Sequence, residues 1–141
     1  MKISLPCLLV VVALLATGSL RAEEDAAVVA RAAALDVAGA FSNDGFKLRD
    51  GHWSGDVGTG AIVALNLYAG NQYWFAAALS GPGKPMIELF DETGKPVTGD
   101  AWKDGGRVAL GVSATASGQY FLRIRMAEGA PSVFCVVYSY K

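Results

Sequence analysis

The sequence predicts an all-β fold, an antiparallel β-sandwich or jelly roll of seven or eight short strands with a short N-terminal helix. After residue 41, apolar and polar residues alternate with the period of two that a half-buried strand requires. Most of the 17 glycines fall between these alternating runs, where turns are expected. Before residue 41 the chain is instead rich in alanine, and its apolar residues recur at helical spacing.

The first 22 residues have the features of a signal peptide. Lys2 gives a positive start, residues 8–15 form an unbroken apolar run, and residues 16–22 supply small residues for cleavage after Ala22. An uncleaved membrane anchor is the alternative, but Pro6 on one side and the Thr17-Gly18-Ser19 interruption on the other leave the run short of the roughly 20 apolar residues that a spanning helix needs. We therefore expect an exported protein, periplasmic or extracellular, with no membrane span after cleavage.

Residues 23–45 form the predicted helical segment and residues 46–141 the predicted sandwich. Val28, Ala32 and Leu35 recur at helical spacing, and the helix is expected to end near Gly39. This apolar stripe is narrow and mostly alanine. The helix therefore either packs on the sandwich or frays as a leader, and the sequence does not decide between the two.

Residues 86–97 give the clearest strand signal. Leu89 is expected to face the core, whereas Glu88 points to the opposite face. In the turn that follows, Gly94 is free to take a positive φ. Pro96 indicates an edge strand, because proline has no N–H to donate to a neighbouring strand.

The same alternation predicts the other strands. The residues expected to face the core are Val63, Leu65, Leu67, Tyr73, Phe75, Ala77, Leu79, Val108, Leu110, Val112, Tyr120, Leu122 and Ile124. We expect residues 46–53 to form a hairpin that turns at Asp50 and Gly51, and residues 99–106 to form a loop. Residues 132–140 are apolar on both faces, so the facing of this last strand stays open.

Charge and cysteine content exclude several classes of function. The chain has 12 basic and 13 acidic residues, and loss of Lys2 and Arg21 with the signal peptide changes its net charge from −1 to −3. A mildly acidic chain without a basic cluster is a poor nucleic-acid binder. Only Cys135 remains after processing, so we expect no internal disulfide.

No catalytic constellation can be assembled from these residues, and we expect no catalytic residue and no enzyme activity. His52 is the only histidine, and neither a nucleophile nor an orienting acid can be named beside it. Cys135 lies in an apolar strand, where a small buried hydrophobe is the commoner role. Ligands for zinc and a glycine-rich phosphate-binding loop are both missing from the sequence.

Acidic loop residues are the remaining metal-ligand signal. Asp91, Asp100 and Asp104 could supply hard oxygens to a calcium ion if their loops meet at one end of the sandwich. Their spacing fits no EF-hand, and solvated turn carboxylates are the commoner outcome. We therefore expect no cofactor unless these three carboxylates converge on calcium.

Five aromatic residues are the candidate ligand-binding residues, Trp53, Trp74, Trp102, Phe90 and Phe121. Flat aromatic side chains flanked by polar groups can stack on sugar rings or pack against a partner protein. The alternative is that they lie beneath the helix or in the core, because large exposed apolar patches are unusual without a function.

Three runs of strand and turn residues follow one another in a particular order, LYAGNQYWF at residues 67–75, IELFDETGK at 87–95 and SGQYFLRI at 117–124. In this order they resemble the bacterial pre-peptidase C-terminal (PPC) domain. That family has a Leu-x-Ala-Gly-x-x-Tyr-x-Phe strand, a Leu-Tyr-Asp-x-x-Gly hairpin and a Ser-Gly-x-Tyr-x-x-Arg-Val strand. The similarity spans residues 61–140.

The resemblance implies a β-sandwich of the kind found at the ends of secreted bacterial proteases and in other exported proteins. Such domains have proposed roles in secretion, in binding substrate or matrix and, in some members, in binding calcium. Because no catalytic domain precedes the region of similarity, we expect a small stand-alone module. Its expected partner is a polysaccharide or an envelope or extracellular protein, and the alternative is a structural or secretion-assembly domain without a ligand.

Processing gives the first testable prediction. We expect the mature chain to begin at Glu23, because Ala22 is the last small residue before an acidic run. Intact-mass analysis of the exported protein measures this directly. A mass that retains residues 1–22 would place the chain among membrane-anchored proteins instead.

Overall fold

The computed structural model describes residues 5–49, 51–58 and 60–141, with side chains from residue 21 onward. Within these residues the chain forms a helix, α1 (Leu5–Gly39), a single 3-10 turn (Ser42–Asp44) and ten strands. The strands are β1 (Lys47–Leu48), β2 (Trp53–Val57), β3 (Ala61–Leu67), β4 (Gln72–Leu79), β5 (Lys84–Phe90), β6 (Pro96–Val97), β7 (Asp100–Asp104), β8 (Arg107–Ser113), β9 (Gly118–Glu128) and β10 (Ser132–Tyr140).

The strands pair antiparallel in two sheets, which confirms the predicted sandwich. Sheet 1 has the order β1-β10-β4-β8-β7, with β2 also paired to β10, and sheet 2 has the order β3-β9-β5-β6. The chain crosses repeatedly from one sheet to the other, so most neighbours within a sheet are distant in sequence, as in jelly rolls. The strand count exceeds the predicted seven or eight because β1 and β6 have only two residues each and β7 was predicted to be a loop.

The main core lies between the two sheets. All thirteen residues predicted to face it are buried there, from Val63 in β3 to Ile124 in β9, and Leu89 of β5 joins them. The predicted facing is therefore confirmed, because each of these strands turns one side of its pleat toward the opposite sheet.

The helix α1 covers the outer face of sheet 1 and forms a second buried layer. Its contacting residues are Ala30, Ala34, Val37 and Ala38, and those of the sheet are Ala76, Ala78, Ala109, Cys135 and Val137. The predicted stripe of Val28, Ala32 and Leu35 is wrong at two positions, since Val28 is 67% exposed and Ala32 is also exposed, whereas Leu35 packs against this layer. Small side chains on the sheet let the helix approach closely, so its alanines face inward and Val28 turns outward.

This second layer explains why the facing of β10 was ambiguous in the sequence. Phe134 and Val136 point into the main core, whereas Cys135 and Val137 point toward α1. A strand buried on both faces has no polar face to mark it. Burial also raises the pKa of the Cys135 thiol, which disfavours the reactive thiolate.

The helix ends at Gly39, as predicted, but it begins at Leu5 and continues without a break past Ala22. It therefore begins well before the predicted helical segment of residues 23–45. No helix in the described parts of the chain combines the length and the hydrophobicity needed to cross a membrane. Processing after Ala22 stays a prediction.

Two local predictions are wrong. Residues 99–106 form no loop, because β7 pairs with β8 across a turn at Gly105 and Gly106. All residues of β7 are exposed, so no apolar alternation reveals the strand in the sequence. Residues 46–53 form no hairpin, because β1 and β2 both pair with β10. Asp50, one of the two predicted turn residues, lies outside the described residues.

The predicted turn after β5 is confirmed. Gly94 has a φ of 82°, in the left-handed region that favours glycine. Asp91 Oδ1 accepts hydrogen bonds from the Thr93 backbone and hydroxyl and from the Lys95 backbone, at 2.9, 2.6 and 3.0 Å. The hydrogen bond from the Thr93 hydroxyl is the main reason that the pKa of Asp91 is lowered. Pro96 then begins β6 at the edge of sheet 2.

Glu88 points outward from sheet 2, as predicted, and forms ion pairs there. Its Oε2 accepts hydrogen bonds from Arg123 Nε at 2.8 Å and from Arg125 Nε at 3.2 Å. Partial burial opposes ionisation, but the two guanidinium groups together hold the pKa of Glu88 below its usual value.

The two faces of β5 predict different costs of mutation. We expect Leu89→Ala to lower the free energy of unfolding by about 2 to 5 kcal/mol, because a buried leucine leaves a cavity that its neighbours fill only partly. We expect Glu88→Ala to cost about 1 kcal/mol or less, because partly exposed ion pairs contribute little. Urea unfolding measures both. The reverse order would mean that the strand facing is shifted by one residue.

On the outer face of sheet 1, a glycine makes room for a tryptophan. Trp74 of β4 is paired with Gly111 of β8, and a Cβ placed on Gly111 would lie 2.7 Å from the indole ring. On its other side, the Trp74 ring stacks on Phe41, with ring centroids 4.2 Å apart and planes 7° apart. The indole is therefore held between β8 and the segment that follows α1.

This fit predicts opposite outcomes for two glycine substitutions. We expect Gly111→Ala to destabilise the protein by about 1 to 3 kcal/mol, because the stacked indole has little room to move. The control is Gly39→Ala, at a helix position with no neighbour within 4 Å and no positive φ. It should be neutral or stabilising by up to about 1 kcal/mol. Urea unfolding compares the two, and equal effects would contradict the close fit of Trp74 on Gly111.

Candidate ligand-binding groove

The five candidate aromatic residues lie in three separate places. Trp53 packs against the main core and stacks on Tyr138, with ring centroids 5.7 Å apart. Phe90 and Phe121 are cross-strand neighbours on the outer face of sheet 2. Trp53 is thus part of the packing of the fold, and the phenylalanines form a pair away from the remaining two candidates.

Those two, Trp74 and Trp102, line one groove on the outer face of sheet 1. The groove has a volume of about 350 Å³ and lies between the end of α1 and the β7–β8 hairpin. Its other lining residues are Asp36, Val37, Ala40, Phe41 and Arg107. The helix and its C-terminal segment supply one wall, the hairpin supplies the other, and Trp74 comes from the sheet.

The hairpin wall presents an aromatic ring to solvent. Trp102 is 40% exposed, and the Arg107 guanidinium lies 5.9 Å from the centre of its ring. Arg107 is also paired with Asp104, at 2.6 Å across the turn. Both charged groups are well exposed, so the pair contributes little stability, but it orients the guanidinium beside the ring.

The opposite wall is set by the way α1 ends. The Ser42 hydroxyl donates a hydrogen bond to the Gly39 carbonyl at 2.8 Å, and the chain enters the 3-10 turn. This tight reversal places Phe41 on top of Trp74. The aromatic surface of the groove is therefore fixed by neighbouring groups before any ligand arrives.

A second, more polar hollow of about 340 Å³ lies beside the groove and shares Trp74 with it. Its polar lining residues include Gln72, Thr98, Asp100 and Ser113. Asp100 and Trp102 are two residues apart in β7, so they lie on the same face of that strand. Together the two hollows flank Trp74 with exposed aromatic, cationic and anionic groups.

The structure does not bring the three predicted calcium ligands together. Asp100 and Asp104 lie at opposite ends of β7, about 13 Å apart at the usual rise of a strand. Asp91 is in the β5–β6 turn of the other sheet, where one of its oxygens already serves that turn. Among the described residues, no group of three or more histidine, cysteine, aspartate or glutamate residues could hold a metal ion. The three carboxylates therefore do not converge, which was the condition for the predicted calcium site.

Sequence reasoning missed several groove residues. Arg107 could have been found, because the Gly105-Gly106 pair is a two-residue hairpin signal that sets Arg107 opposite Asp104. Phe41 and Gly111 have no comparable local signal. Their roles arise from contacts with Trp74 that only the folded chain creates.

The sequence matches no protein-family model and no curated protein significantly. The solved PPC domain of a collagenase from Bacillus anthracis is 13% identical, with a TM-score of 0.50 over 62% of this chain and 87% of that domain. A lipase from Bacillus licheniformis in propeptide form is 14% identical, with a TM-score of 0.46 over 63% of this chain and 21% of the lipase. The periplasmic inhibitor of g-type lysozyme from Aeromonas hydrophila is 14% identical, with a TM-score of 0.43 over 70% of this chain and 90% of the inhibitor. At such identities a likeness concerns the fold alone, and the first comparison confirms that this sandwich resembles a PPC domain.

Proposed function

We propose that the protein is a non-catalytic, exported β-sandwich module that binds a macromolecule, a polysaccharide or another protein, at the cell envelope or outside the cell. The observation that carries this proposal is the exposed Trp102 ring beside the groove that Trp74 and Arg107 also line. A concave, partly apolar groove with a few polar groups at its border is the usual setting of a binding site.

The chemistry of the groove suits an extended polar ligand. The faces of Trp102 and Trp74 offer flat apolar area for a sugar ring or an aromatic side chain, and Arg107 and Asp36 offer a donor and acceptors at its border. Because Phe41 and Gly111 already hold Trp74, little side-chain entropy remains to be lost on binding.

A structural or secretion-assembly role without a ligand is the second candidate. It is favoured by Trp53 and Trp74, because both contribute to internal packing. Trp102 separates the two candidates, since its ring is more exposed than packing alone would require.

Binding tests this proposal directly. The purified exported protein is screened against a glycan array and, by pull-down, against envelope and extracellular proteins. For the ligand found, we expect Trp102→Ala to weaken binding by roughly 30-fold, about 2 kcal/mol, as for a central aromatic contact. A thermal melt should show that the variant stays folded, because Trp102 belongs to neither of the two buried clusters.

The matched control is Tyr68→Ala, which removes another exposed aromatic ring outside the groove. It should leave affinity unchanged. Failure of the parent protein to bind any glycan or protein would favour the structural role, whereas equal binding by the Trp102 variant would place the binding surface outside this groove.

A further inference from the structure

The edges of the two sheets differ in how well they are protected from pairing with another chain. Exposed edge strands are usually shortened, interrupted, charged or fitted with proline, because their free N–H and C=O groups otherwise invite a partner strand. In sheet 1, β7 carries charges at Asp100, Lys103 and Asp104. At the other edge of sheet 1, β1 and β2 are separate short pieces on β10. In sheet 2, β6 has two residues and begins with Pro96.

The remaining edge strand, β3, has none of these features. Its seven residues pair with β9 along their whole length and contain no charged residue and no proline. Its outward side chains are Ile62, Ala64 and Asn66, all exposed, and Ile62 is 68% exposed. About half of the backbone groups of an edge strand face away from its neighbour. Within the described residues, no further strand pairs with this side of β3.

We propose that β3 pairs antiparallel with β3 of a second copy of this chain, about a two-fold axis at Ala64. The two four-stranded sheets then join into one sheet of eight strands. In this register Ala64 faces its own copy, and Ile62 faces Asn66 of the second copy. No like charges meet, and the small Ala64 side chains allow close approach at the axis.

The outer face of sheet 2 favours an axis at this residue. Phe90, Phe121 and Ala64 lie in one row across β5, β9 and β3. A two-fold axis at Ala64 extends that row into the second copy, where Ala64, Phe121 and Phe90 follow in the reverse order. Ile62, at present the most exposed large apolar side chain of the sandwich strands, gains a cross-strand neighbour.

Symmetry also limits the size of the assembly. A two-fold contact uses the same edge on both copies, so it occupies the unprotected edge of each and closes at a dimer. A single seven-residue strand pair buries less surface than a standard interface, so we expect an equilibrium that depends on concentration.

Sedimentation velocity of the exported protein over a wide range of concentrations tests the dimer. The parent chain should shift from monomer to dimer as concentration rises. Ala64→Lys and Ala64→Glu should each remain monomeric, because like charges then meet at the axis. An equimolar mixture of these two variants should dimerise again, because opposite charges meet there.

Ala101→Lys is the matched control, since it makes the same substitution at an exposed position of the charged edge strand β7. It should dimerise as the parent chain does. Thermal melts check that all variants are folded. Hydrogen exchange of the parent chain is a second test that needs no variant: the amides of β3 should exchange more slowly in the dimer than in the monomer.

The proposal would be overturned if the parent chain stayed monomeric at every concentration or formed assemblies larger than dimers. It would also be overturned if the Ala64→Lys variant still dimerised, or if the equimolar mixture of the Ala64→Lys and Ala64→Glu variants stayed monomeric. If β3 instead became protected only with an extended segment of another protein, the strand would be a binding edge for that protein and the two-fold dimer would be wrong.

Discussion

Close packing of alanine on alanine, between α1 and sheet 1, is the contact on which most other features depend. Ala30 and Ala34 of the helix and Ala76 and Ala109 of the sheet are fully buried. Side chains this small let the helix lie near the strand backbones, which leaves few voids. Because α1 lies there, β4, β8 and β10 are covered on both faces. The chain that leaves the helix at Gly39 then places Phe41 on the face of the Trp74 ring.

The two outer faces of the sandwich are consequently very different. The outer face of sheet 1 is apolar where the helix covers it and becomes aromatic and charged only beyond the helix, toward Trp102. Among the described residues, no helix covers the outer face of sheet 2, which carries Glu88 paired with both Arg123 and Arg125. Because water reaches and screens these charged groups, their ion pairs contribute only modestly to stability.

The sequence predicted those features that depend on local order. Alternation from Val63 to Ile124 identified the core because the period of two is a property of the strand itself. The β5–β6 turn was predicted because Gly94 and Pro96 act through their own backbones. In contrast, β7 was missed because an exposed edge strand needs no apolar alternation, and the buried face of α1 was missed because alanine is weakly informative about facing.

The candidate site was predicted in smaller part, for the same reason. Trp74 and Trp102 were identified by residue type, but their common groove depends on the register that sets Trp74 against Gly111 and on the reversal that places Phe41 above it. Asp91, Asp100 and Asp104 share a composition and not a location. A site assembled from two separate segments depends on the topology of the fold, which sequence spacing alone does not reveal.

The position of the groove links the packing of α1 to any binding that occurs there. One wall belongs to α1 and the segment after it, and the other belongs to the β7–β8 hairpin. A ligand that touches both walls must bind more tightly when the helix is docked than when it is detached, so it stabilises docking by mass action. Helix packing and ligand binding are therefore coupled properties of one surface: a change that loosens Ala30 or Ala34 from the sheet should weaken binding at Trp102 without touching the groove itself.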